Sequence, residues 1–148
     1  MKPEQLEDLL QYRMEQAHET LREAEILLAE AALRGTVNRA YYAMFYALLA
    51  LLATKQLGTS KHSGAISMFD REFVKTGLIS REMSRTLHLA FDQRQTHDYG
   101  EIVRITPELA EEMVKDARTF VAAIEAHLRS SVLFPAGHEQ QQPYQPKE

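Results

Sequence analysis

The stretch that decides the fold is Val37-Asn38-Arg39-Ala40-Tyr41-Tyr42-Ala43-Met44-Phe45-Tyr46, continuing through Ala47 to Gln56. It is apolar nearly all round, the pattern of a helix covered on every side by other helices. Its longest apolar run, Ala40 to Ala53, holds three tyrosines. That run is about four residues short of a bilayer span, so it reads as a buried central helix.

Four further helices are expected around it. Upstream, from Pro3 to Leu33, the residues Leu6, Leu9, Leu10, Arg13, Ala17, Leu21, Ala24, Leu28 and Ala31 recur at helical spacing, and Gly35 is read as the stop. Downstream, Leu57-Gly58-Thr59-Ser60 is a turn. A third helix is predicted over Ser63–Thr76, closed by Gly77, and a fourth from an N-cap at Ser80 to about Gln95. Thr106-Pro107-Glu108 marks the fifth start: a capping hydroxyl, a proline at the first helical position and an acid at the positive end of the helix dipole. Leu109, Met113, Ala117, Phe120, Val121, Ile124 and Leu128 form its stripe. The fold class is therefore all-α, an antiparallel bundle of four to five helices over residues 1–133. Residues 134–148, rich in Pro, Gln and Gly, read as a disordered tail.

Composition agrees with one globular domain: 148 residues, 45% apolar and 26% charged. The absence of cysteine excludes disulfides, zinc fingers and thiol catalysis. A formal charge of −4 argues against a general nucleic-acid coat but leaves room for a local basic site. No basic-then-apolar leader opens the chain, so a cytoplasmic location with no membrane association is expected. No phosphate loop, dinucleotide fingerprint or nucleophile elbow is present; no cofactor and no metal site is expected.

Three segments can carry chemistry. In the central helix, Arg39, Tyr42, Ala43 and Tyr46 share one face, and Tyr41, Phe45, Leu48 and Leu52 another. The tyrosines either pack their rings at a bundle end or line a phosphate cleft with Arg39. At the following turn, Lys61 and His62 stand at a helix start, serving as solvated charge or as anion ligands. The third is Arg94-Gln95-Thr96-His97-Asp98-Tyr99-Gly100. Arg94 continues the apolar line Met83, Leu87, Phe91, so it points inward or into a cleft. Arginine does so only when partnered, and the partner is either structural, such as Asp98, or a substrate phosphate. His97 titrates near neutral pH and can move a proton. RNA cleavage through its own 2′-hydroxyl needs a base, an acid and a cation on the phosphate. A two-fold dimer would bring a second Arg–His pair to the same cleft.

Arg39-Ala40-Tyr41-Tyr42-Ala43-Met44-Phe45, Lys61-His62-Ser63-Gly64, Phe73-Val74-Lys75-Thr76-Gly77-Leu78-Ile79, Arg94 and Asp98-Tyr99-Gly100 occur in one order. Together they resemble the HEPN domain superfamily, in its prokaryotic branch with the RAYYAMF-type motif. The resemblance runs from about Leu6 to Leu128. It implies a dimeric helical bundle and a metal-independent endoribonuclease of toxin or defence type, often paired with a small nucleotidyltransferase as antitoxin. It matches Arg94, Gln95 and His97 to the family's Arg, polar residue and His; Arg94 is then expected to hold the phosphate and His97 to transfer the proton, and Asp98 is read as orienting a neighbour. Arg39, Tyr42, Lys61 and His62 are then candidate substrate-binding residues, and Tyr99, two residues after the His, is the candidate modification site. The family pattern places its His further from the Arg; here only Gln95 and Thr96 intervene. The alternatives are a non-catalytic nucleotide-binding or interaction module serving a nucleotidyltransferase, and a structural dimer.

Overall fold

The computed structural model describes residues 2–99 and 104–133, the side chains of 97–99 and 132–133 excepted. Its helices are α1 (Pro3–Ala29), α2 (Leu33–Ala53), α3 (His62–Phe69), α4 (Arg81–Tyr99) and α5 (Pro107–Leu128). α3 runs on into a π-helical turn, Asp70–Val74, and a second such turn, Arg129–Leu133, follows α5. Among the described residues there is no strand, and no helix is long and apolar enough to cross a membrane. The expected tail, 134–148, lies outside the described residues.

α2 is the central helix. Val37, Ala40, Tyr41, Ala43, Met44, Phe45, Ala47, Leu48, Ala50, Leu51 and Leu52 are all buried. Pairings between helices give its neighbours' directions. Arg39 reaches Glu23, and Arg118 and His18 reach Glu25 and Glu125, so α1 is antiparallel to both α2 and α5. Arg94 meets Tyr42 near the start of α2, and Ser84 meets Asp70 near the level of its far end, so α4 descends against α2. These four helices make the antiparallel bundle. α3 runs in the same sense as α2: His62 lies against Tyr41 and Phe45, whereas Phe73 lies under Lys55.

Three boundaries differ from the sequence reading, the simplest being that of α4, which runs on to Tyr99 past its expected end at about Gln95. Gly35 does not end the first helix; it lies inside α2, where its missing side chain admits Leu27, whose Cδ1 would sit 3.1 Å from an added Cβ. The turn comes earlier, at Ala31, which holds the left-handed position at φ 58°. Its N–H bonds Leu28 O at 3.0 Å, and the next N–H, of Ala32, bonds Leu27 O at 2.8 Å, the paired closure that ends many helices. The predicted third helix begins close to its expected start but turns π-helical over its second half. The start of α5 is as read: Thr106 Oγ1 accepts from Leu109 N at 3.1 Å, ahead of Pro107.

Candidate functional site

The inner stripe of α4 is Met83, Leu87 and Ala90, all buried, then the half-buried Phe91 and Arg94. The stripe thus carries the Arg94 guanidinium to the start of α2, where it lies over two tyrosine rings. Its Cζ is 5.4 Å from the Tyr41 centroid and 5.2 Å from that of Tyr42. One amino group also donates to the Tyr42 hydroxyl at 3.1 Å. Ring faces are electron-rich, so this is a favourable seat for a guanidinium that still leaves its planar fork defined.

Tyr42 is shared. The Arg39 guanidinium also lies 5.2 Å from its centroid, donates to Asn38 Oδ1 at 3.1 and 2.9 Å, and stands 3.6 Å from Glu23. Two of the expected binding residues, Arg39 and Tyr42, are therefore brought together with Arg94. A third joins them from α3. The His62 ring stacks on Phe45 at 4.0 Å and 17°, meets Tyr42 edge-on at 5.7 Å, and shares a 2.8 Å hydrogen bond between Nδ1 and the Tyr41 hydroxyl. Lys61 is exposed beside it, its backbone N–H donating to Thr59 Oγ1 at 3.3 Å.

Electrostatics follow from this packing. Burial, together with the Arg94 charge, lowers the proton affinity of His62, which keeps the ring neutral at pH 7. Burial pushes the Tyr41 hydroxyl far above the usual phenol range, against the smaller pull of Arg94, so it stays protonated. Tyr41 is the residue that sequence reasoning missed. It is fully buried, yet its hydroxyl orients His62. Its spacing of four from Phe45 was visible, but nothing in the sequence says that a histidine 21 positions on closes that pair.

His97, Asp98 and Tyr99 complete α4, and their side chains lie outside the described residues. Their backbone positions put His97 and Asp98 three and four residues after Arg94, on the same helix face. Elsewhere, a shallow concavity between α1 and α5 is lined by Glu7, Glu15, His18, Glu125 and Arg129, where Glu125 meets His18 at 3.1 Å and Arg129 at 3.8 Å. Among the described residues, no three acidic or imidazole side chains come together as metal ligands.

A cation on a fixed aromatic seat, with a neutral imidazole against the same rings, can bind a phosphate and exchange a proton beside it. Comparison with known proteins places the chain. The UPF0332 protein of Thermotoga maritima is 42% identical over 119 residues, covering 80% of this chain and 90% of the relative. Two proteins of Methanocaldococcus jannaschii, each named "putative toxin", are 35% identical over 121 residues (82% of either chain) and 38% identical over 120 residues (81% of this chain, 89% of the relative). A model of the HEPN domain matches residues 10–127, and the chain belongs to that family.

Proposed function

We propose that this chain is a toxin-type endoribonuclease that cleaves RNA through the substrate's own 2′-hydroxyl, without a metal ion. The observation that carries the reading is the seat of Arg94: a permanent cation held half-buried over Tyr41 and Tyr42 at the end of an apolar stripe. Its fork matches phosphate oxygens in two-point geometry. Arg39 and His62, against the same Tyr42 ring, extend the binding surface along a strand. His97, on the same face of α4, exchanges the proton, with Asp98 orienting a neighbour. The names of the two Methanocaldococcus relatives point the same way. In this reading the chain works as a homodimer, and a small nucleotidyltransferase restrains it by modifying Tyr99.

The test is growth on induction, and cleavage of labelled total RNA, for wild type, Arg94→Ala, Arg94→Lys and His97→Ala. We expect wild type to arrest growth and to cleave equally with EDTA. Each variant should stay folded by thermal melting and cleave on the order of 100-fold more slowly or worse, the scale for losing one transition-state donor or proton carrier. Arg94→Lys should fail because it keeps the charge and loses the fork. Cleavage by His97→Ala at the wild-type rate, or its abolition by EDTA, overturns the reading.

A further inference from the structure

His62 is a second imidazole at the Arg94 site, and the Arg94–His97 chemistry leaves it without a task in proton transfer. Its setting is unusually constrained for a residue at a helix start. Phe45 fixes the ring plane from one face, Tyr42 abuts it edge-on, and the buried Tyr41 hydroxyl holds Nδ1 at 2.8 Å. Nδ1 is thereby assigned to the protein side of the ring. Among the described residues, Nε2, across the ring, has no hydrogen-bond partner. His62 and Arg94 lean on the same two rings: His62 lies 5.8 and 5.7 Å from the centroids of Tyr41 and Tyr42, and the Arg94 guanidinium 5.4 and 5.2 Å from them. Arg94 and His62 thus share one aromatic platform.

We propose that His62 is the general base of the site, taking the 2′-hydroxyl proton of a ribonucleotide through Nε2 while Arg94 holds the adjacent phosphodiester, with Tyr41 as its positioning residue. This rests on the ribonuclease reading above. The role requires the tautomer in which Nδ1–H donates to the Tyr41 oxygen, so that Nε2 carries the lone pair for the substrate. The 2′-oxygen bonds to phosphorus as its proton passes to Nε2. The phosphorus–5′-oxygen bond breaks, giving a 2′,3′-cyclic phosphate, and the 5′-oxygen takes a proton from His97 in its acid form. The imidazolium so formed keeps an acceptor for each N–H, Tyr41 at Nδ1 and the substrate side at Nε2, and then returns its proton to water.

The surroundings suit a base. Among the described residues, the charged and titratable groups facing the ring are Arg94 from α4, with Tyr41 and Tyr42 from α2; Arg39 lies over Tyr42, and Lys61 adjoins along the chain. Burial and Arg94 both favour the unprotonated ring, so the base is ready at neutral pH and for some way below it. The substrate class follows. The site requires a ribose 2′-hydroxyl next to a phosphate, in a strand flexible enough to bring the two in line, so single-stranded RNA is cut and DNA is inert.

The experiment measures cleavage of a 5′-labelled pool of random oligoribonucleotides by the full chain, from about pH 5 to about pH 8, around the ordinary imidazole value. His62→Asn is the informative variant, because its side-chain amide N–H can still donate to the Tyr41 oxygen but nothing occupies the Nε2 position. It should cleave about 100-fold more slowly at neutral pH and lose the acid limb of the rate profile, which in wild type lies below the ordinary imidazole value. A His62 that only anchors Tyr41 would be rescued by Asn, with rate and acid limb intact, and that result overturns the inference. Independently of any variant, the wild-type His62 imidazole, followed by NMR, should titrate at higher pH when inorganic phosphate is added; an unmoved titration also overturns it. Should wild type cleave nothing, or Arg94→Ala cleave normally, the ribonuclease reading itself falls and takes this inference with it. An inactive Arg94→Ala beside a fully active His62→Asn removes the His62 role alone.

Discussion

The two ends of α2 are built from the same parts, used differently. At each end a cation lies over an aromatic ring and a histidine has its proton affinity lowered by burial and by that cation. Near the start the pair is Arg94 and His62; beyond the finish it is Lys55 and His127. Lys55, however, sits 4.8 Å over the Phe73 ring, donates to Glu72 O at 2.9 Å and stands 3.9 Å from the Glu72 carboxylate. His127 meets the same phenylalanine edge-on at 6.4 Å. Behind them Phe69 and Phe120 pack at 5.8 Å, fully buried. Among the described residues, the rings at this end carry no hydroxyls. At the Arg94 end two of the rings are phenols, one donating or accepting at His62 and one accepting from Arg94. A depressed histidine beside a cation is thus no signature of a site by itself. What distinguishes the start of α2 is that its aromatic packing also supplies polar atoms that aim the cation and the imidazole.

The largest expected contrast is in activity. Arg94→Ala should lower cleavage on the order of 100- to 1,000-fold, whereas Lys55→Ala should leave it unchanged, both measured on the same labelled RNA. Equal losses would mean that the two ends do the same job. Stability should divide the other way. Phe69→Ala removes a fully buried ring and should cost about 3–5 kcal/mol in urea unfolding, while Tyr41→Phe keeps its ring and loses one hydrogen bond, about 1 kcal/mol.

The comparison predicts pH behaviour that the two ends share. A histidine whose folded-state proton affinity is lowered binds a proton more readily when unfolded. Its contribution to stability is complete above the unfolded value of about 6.5 and is lost as pH falls from there toward the depressed folded value. The melting temperature should therefore fall on acidification below about pH 6.5, and His62→Asn and His127→Asn should each flatten part of that fall. Asp116, raised by burial and by Glu112, acts with the opposite sign, and it cancels when each variant is compared with wild type. A fall of unchanged steepness in both variants would break the parallel. The smallest expected effect concerns Asp70, which accepts from Ser84 Oγ at 2.6 Å and lies 2.6 Å from His88 Nε2, tying the start of α4 to the π-helical turn. Asp70→Asn should cost about 1 kcal/mol by thermal melting and leave cleavage untouched, because the tie lies at the far end from Arg94.

What was legible in the sequence follows the range of the interactions concerned. The start of α5 was, because Thr106 and Pro107 act on their own next turn. The burial of α2 was, because an all-round apolar pattern has one outcome. The inward course of Arg94 was, because it extends the stripe of Met83 and Leu87. Gly35 misled because glycine serves two purposes, and here it admits the Leu27 side chain while Ala31 takes the left-handed turn. The assembly of the site was not legible. Arg39 with Tyr42, Lys61 with His62, and Arg94 stood as three separate candidates. They meet, Lys61 excepted, because α3 runs in the same sense as α2 and returns His62 to the level of Tyr41. That course depends on the connection from Thr54 to Lys61 and on the π-helical turn, neither of which leaves a periodic trace.

The tyrosine seat of Arg94 also makes this region visible without a label. The chain has six tyrosines and no tryptophan, so its near-ultraviolet absorption and emission arise from phenol rings. Three of the six, Tyr41, Tyr42 and Tyr46, are neighbours on α2, two of them beneath the guanidinium, with Tyr42 and Tyr46 centred 5.9 Å apart. An anion that binds Arg94 over those rings changes the field on two chromophores at once. Near-ultraviolet circular dichroism of the native chain is therefore an intrinsic gauge of occupancy at the start of α2, and one to which the phenylalanines under Lys55 contribute almost nothing.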